Sequence, residues 1–151
     1  MAWKTILVPH DFSASADHAT AIALDEARVH GSAIVLLHVI DLPYQLGPDA
    51  VIVPEESGVP ISIKQYAIQS AENHLQGIAD RLAKDGAVAS CVVAVGVPVD
   101  EINRAVEDHR VDLIVMGTHG RTGIRHLMAG SVAERVVRSS KVPVLTTRHS
   151  D

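Results

Sequence analysis

The chain has 151 residues, and 47 % of them are hydrophobic, which suits one domain with a full core. Aromatic residues reach only 3 %, so the core is expected to be aliphatic, built from Val, Ile, Leu and Ala. A formal net charge of -5 argues against nucleic acid or an anionic membrane as the main partner, yet leaves room for one small anion at a locally basic site.

The N-terminal stretch MAWKTILVPHDF holds a very short apolar run broken by Pro9. It fits neither a signal peptide nor a membrane span, and no later run approaches membrane length. A cytoplasmic protein is the expectation. The first apolar run, Thr5–Val8, is followed by a helical pattern over 15–29, with Ala19, Ile22, Ala23 and Ala27 at helical spacing. Ser13 or Ser15 can cap its start, and Gly31 can stop it. The second run is Ala33–Ile40. Residues 41–60 then break the rhythm with four prolines and two glycines. A structureless stretch of that length is expected to be a lid, a partner contact, a disordered segment or an excursion without chemistry.

Residues 62–84 carry Ile68, Ala71, Leu75, Ile78, Ala79 and Leu82 on one helical face, with Gly86 beyond the end. The third run, Cys91–Val95, holds the single cysteine. A lone Cys forms no internal disulfide, which fits a reducing compartment, and Cys91 is read as a buried small hydrophobe. A short helix over 99–109 shows Ile102, Ala105 and Val106. The fourth run, Leu113–Met116, leads into a glycine-rich loop. Ser131 with Glu134 three positions on forms a capping box, so a helix over 131–139 is expected. The last run is Val142–Thr146.

The runs are continuous and rich in β-branched residues, as in strands buried on both faces of a parallel sheet. One strand alternates with one helix, which argues for an α/β fold, one domain over 1–151, with right-handed crossovers.

The loop GTHGRTGIRHLMAGSV, residues 117–132, carries the chemistry. Glycine lets backbone N–H groups approach an anion with no Cβ in the way. The N-terminus of the following helix adds free donors and a positive dipole end. Together they suit a phosphate. Ser131 can cap its helix and donate to a phosphate oxygen, and Arg121 and Arg125 add positive charge. The loop contains no lysine, so a P-loop mechanism is excluded.

The other half of a cleft would lie at the carboxyl end of the first strand, in VPHDFS. There Asp11 can accept from ribose hydroxyls or the adenine amine, help hold Mg²⁺, or cap the first helix. Pro9 shapes the turn, and backbone groups near Val39 can read an adenine edge. Nine histidines invite a metal reading, but His119 and His126 are seven apart in a loop with no ligand set around them. His119 is read either as a phosphate-side donor or as an exposed loop residue, and His38 as a packed histidine.

With these residues in view, the chain resembles the universal stress proteins over nearly its whole length. The resemblance rests on VPHDFS, the HVI of the second strand, GVP at 96–98, and G-x2-G-x9-G-S at Gly117, Gly120, Gly130 and Ser131. That spacing marks the nucleotide-binding branch of the family. The resemblance implies a doubly wound five-stranded parallel sheet of order 3-2-1-4-5 with helices on both faces. It implies an ATP-binding regulator of stress or signalling, taking ATP, ADP or AMP with Mg²⁺, and at most a slow ATPase. An interaction protein with a vestigial site is the alternative. Pro9, His10, Asp11 and Val39 would line the adenosine side. Met116, Gly117, His119, Gly120, Arg121, Gly130, Ser131 and Val132 would line the phosphate side. A smaller residue is common at position 10, and the bulk of His10 would narrow the ribose site. Family members commonly form homodimers through the last strand. Here Val142–Thr147 would be an apolar edge in need of cover, by a second copy or by the C-terminal tail RHSD, with Pro143 tolerated at an edge.

Overall fold

A computed structural model describes residues 2–42, 47, 49–118 and 131–148, with only the backbone at Ser131. The described elements are β1 (Thr5–Pro9), α1 (Ala14–His30), β2 (Ala33–Ile40), β3 (Val51–Ile52), β4 (Ile61–Ser62), α2 (Ile63–Lys84), β5 (Val88–Val95), α3 (Pro98–Asp108), β6 (Leu113–Gly117), α4 (Ser131–Ser139) and β7 (Val144–Thr147).

Five strands form one sheet in the order β5-β2-β1-β6-β7, and every pairing in it is parallel. Counted among the sheet's own strands, this is 3-2-1-4-5; the labels run higher only because β3 and β4 intervene. The α/β class and the helices on both faces agree with expectation. One face packs α1 and α2 over Ile6, Val8, Ile34, Leu36 and Val115. The other packs α3 and α4 over Leu7, Val35, Leu37, Ile114 and Met116. Alternate residues of β1 and β2 thus enter opposite cores, which is why both strands read as unbroken apolar runs.

The helix starts follow local chemistry. Ser13, not Ser15, caps α1: its Oγ accepts from the Ala16 N–H at 3.1 Å. Gly31 ends α1 at φ 68° and its N–H reaches the Ala27 carbonyl. The α1 face is a stripe of alanines, 16, 19, 23 and 27, all buried, so the helix lies close on the sheet. Ser62 caps α2 through the Gln65 N–H at 3.0 Å. Helix α4 begins at Ser131, as the capping box implied, and the Glu134 carboxylate pairs with Arg138 at 2.8 Å.

Four expectations need correction. The 41–60 excursion is not structureless: β3 and β4 pair antiparallel, and a turn at Gly58, φ 64°, joins them. β5 starts at Val88, three residues early, because all eight of its residues pair with β2, so tertiary pairing extends it beyond its apolar run. β7 starts at Val144, after Pro143, whose carbonyl accepts from the Ile114 N–H. Cys91 is half-buried rather than buried, since β5 is an edge strand. Burial, and then the charge of Asp80, pushes its thiol pKa up, away from reactivity. Among the described residues no helix is long and apolar enough to cross a membrane.

Candidate functional site

The strand order reverses between β1 and β6. The helix after β1 lies on one face of the sheet and the helix after β6 on the other, which opens a crevice beyond the two carboxyl ends. Pro9 is the last residue of β1, and Gly117 the last of β6. His10, Asp11 and Phe12 follow Pro9 before the α1 cap. The structure therefore brings Pro9, His10, Asp11, Met116 and Gly117 to one end of the sheet. Met116 is buried in the α3/α4 core, with Val39 and Val132 packed against the same core. His119, Gly120, Arg121 and Gly130 lie outside the described residues, as do Arg125, His126 and the side chain of Ser131.

The turn after β1 is held at every polar atom of His10. Its N–H donates to the Leu37 carbonyl at 2.7 Å, continuing the ladder past Pro9. Its carbonyl accepts from Nδ1 of His38 at 2.7 Å. Its Nδ1 accepts the Phe12 N–H at 3.0 Å, so Nε2 carries the proton and donates to Asp17 at 3.1 Å. The residue is 3 % exposed. Its ring packs toward α1, where Nε2 meets Asp17. Burial lowers its pKa below the ordinary 6.5; the charge and hydrogen bond of Asp17 and the charge of Asp11 oppose this without reversing it, and His38 adds to the lowering.

Asp11 is not itself the helix cap. Its Oδ1 accepts the Ser13 N–H at 3.0 Å and the Ser13 hydroxyl, and so orients the residue that is the cap. His38 is a packed histidine, as expected, but it also does more: its ring stacks on Phe12 with centroids 4.5 Å apart. Phe12 touches the ring of His74 from α2 at 4.9 Å and that of His10 at 5.5 Å.

Gly117 has a packing reason of its own. A Cβ there would lie 2.2 Å from Ser15 Oγ and 2.9 Å from the Ser15 carbonyl oxygen. Only glycine lets the end of β6 touch the first turn of α1. The Ser15 hydroxyl is buried and has no hydrogen-bond partner among the described residues. Sequence reasoning missed three residues here. Phe12 sits at φ 66°, the left-handed region, and nothing in the sequence signals that for a bulky residue. Ser15 and His74 are brought to the site only by tertiary packing. Among the described residues, no group of three His, Cys, Asp or Glu could hold a metal ion.

Comparison with known proteins fits this geometry. The Universal stress protein family profile matches residues 2–148. Universal stress protein MJ0577 of Methanocaldococcus jannaschii is 30 % identical, over 99 % of this chain and 97 % of its own length. A solved structure of hypothetical protein MJ0577 superposes with a TM-score of 0.84 at 31 % identity, covering 100 % of this chain and 99 % of that one. A universal stress protein solved in complex with cAMP superposes with a TM-score of 0.67 at 26 % identity, covering 99 % of this chain and 100 % of that one. The chain belongs to the universal stress protein family.

Proposed function

We propose that the chain binds an adenine nucleotide, ATP first, in the crevice between the ends of β1 and β6, and that occupancy is read by a protein partner in a stress or signalling response. The observation that carries this reading is the strand-order reversal with Asp11 on one rim and Gly117 on the other. The cAMP complex of a structural neighbour supports the ligand class. Pro9, Asp11 and Val39 take the adenosine side. Met116, Gly117, Ser131 and Val132 take the phosphate side, together with the loop residues His119, Gly120, Arg121 and Gly130. Asp11 already accepts from Ser13, so Mg²⁺ would arrive on the nucleotide's own phosphates. A homodimer paired along Val142–Thr147 is part of the same reading, since β7 is the last strand of the sheet among the described residues.

Calorimetric titration with ATP and Mg²⁺, after any co-purified nucleotide is stripped, tests the binding. Micromolar or tighter affinity is expected, and an empty protein that takes up no nucleotide refutes it. ATP is expected to survive overnight incubation with the protein; stoichiometric loss would make the protein an ATPase. A monomeric mass in sedimentation would remove the dimer.

A further inference from the structure

We infer that His10 is a positioning residue: its ring and its carbonyl lock the strained turn that presents Asp11 at the crevice. The inference rests on the nucleotide reading above.

Phe12 is the starting point. A bulky side chain at φ 66° is held there only when its surroundings over-determine it, and such strain collects where a site needs a fixed geometry. Contacts with three histidines hold Phe12. Its N–H is accepted by His10 Nδ1. Its ring is stacked on His38 and touches His74. The same His38 donates to the His10 carbonyl, so one ring supports Phe12 and the residue two before it. Asp11 lies between them, with both chain neighbours pinned. Its own carboxylate repeats the pattern one residue on, accepting the Ser13 N–H. Two overlapping turns, each closed from a side chain to the N–H two residues later, leave the Asp11 backbone no slack. On the far side of the ring, Nε2 bonds Asp17, whose side chain is 63 % exposed. That contact is screened by solvent and contributes little. The decisive contact is therefore Nδ1 with the Phe12 N–H.

Chemistry separates the two ring nitrogens. Asn places its Oδ1 at the chain position of Nδ1 and can accept from the N–H two residues on. Gln places its amide at the position of Nε2, where it reaches Asp17 but not Phe12. Leu keeps bulk and loses both contacts.

The test is ATP affinity by calorimetry for wild type and for His10→Asn, His10→Gln and His10→Leu, with thermal melting to establish folding. His10→Leu and His10→Gln are expected to bind roughly five- to tenfold more weakly, the scale of one lost hydrogen bond. His10→Asn is expected to recover most of that loss. Adding Asp11→Asn to His10→Leu should cost less than Asp11→Asn costs in wild type, because the two act through one geometry. His38→Phe keeps the stack on Phe12 and removes only the donor to the His10 carbonyl; roughly a two- to threefold loss is expected there. Should His10→Leu fail to fold, the Asn and Gln variants decide: tighter binding by Asn supports the inference, and equal binding overturns it. A folded His10→Leu that binds as wild type overturns it alone. A wild type that binds no adenine nucleotide overturns it together with the nucleotide reading.

Discussion

The two rims of the crevice are fixed by opposite means. At the end of β1 a crowd of side chains, His10, Phe12, His38 and Asp11, fastens a turn that the backbone alone would not choose. At the end of β6 the absence of a side chain does the fastening: Gly117 lets the strand rest directly on Ser15 of α1. Both devices meet on α1, whose first turn carries Ser13, Ser15 and Asp17. One rim is rigid because it is over-connected, the other because it is close-packed. An over-connected rim should fail gradually as bonds are removed. A close-packed one should fail at the first added atom.

The largest effect is expected at Gly117. Gly117→Val would drive branched carbon into the backbone and hydroxyl of Ser15, forcing α1 away from β6. Urea unfolding should show a loss of about 1–3 kcal/mol, with nucleotide binding lost in the folded fraction. A Val variant of wild-type stability would mean that α1 yields easily, and the contrast between the rims would disappear.

The β1 rim is sharpened by comparing two truncations of Phe12. Both lose the ring contacts, but only glycine relaxes at φ 66°. Phe12→Gly should therefore be more stable than Phe12→Ala by about 1 kcal/mol, the reverse of the usual order. Equal stabilities would show that the turn rearranges once the ring is gone.

The smallest effect is the pH response of the same rim. The folded pKa of His10 lies below its ordinary 6.5. Near and below pH 6.5 the unfolded chain takes up a proton that the folded chain refuses. The His10 contribution is thus fully present above pH 6.5 and is lost as pH falls through the folded value. Wild type should lose stability over that range relative to His10→Asn. Parallel pH profiles for the two proteins would show that the ring does not titrate as its burial implies.

What the sequence revealed follows from where each signal lies. Strands buried on both faces must be apolar at every position, so β1, β2 and β6 stood out: β2 has the expected bounds, and β1 and β6 run one residue further, to Pro9 and Gly117. Capping is a local matter of a few residues, and the starts of α1 and α4 could be placed from Ser13 or Ser15 and from Ser131, whereas α2 was placed by its apolar spacing. The two-residue strands β3 and β4 are too short to carry any periodicity. Asp11 and Gly117 were legible as crevice residues from strand ends and glycine spacing, but their contacts were not. Gly117 was read as room for an anion, and its close contact with Ser15 of α1 was not foreseen. His10 was read for its bulk, and the contact of its ring with Asp17 of α1 was not foreseen. Both contacts depend on direction, which tertiary packing decides. The readings at His119, Gly120, Arg121 and Gly130 lie outside the described residues.

The lower end of the sheet bears on how the molecule is made. The Asp112 carboxylate accepts from the N–H groups of Lys4 and Thr5, at 2.8 and 2.9 Å, and the Asp112 N–H returns to the Thr5 carbonyl. These bonds join positions 108 and 107 apart. β1 can pair with β2 early, across one helix, but it gains its second neighbour only when the chain has reached β6. Closing so long a loop is entropically slow, and such non-local pairing is completed late. During synthesis β1 must wait as an open apolar edge. The crevice between β1 and β6 then exists only once the chain has reached β6, so a ligand held there would bind only molecules in which β1 has found β6 and would select against every earlier, partly folded one.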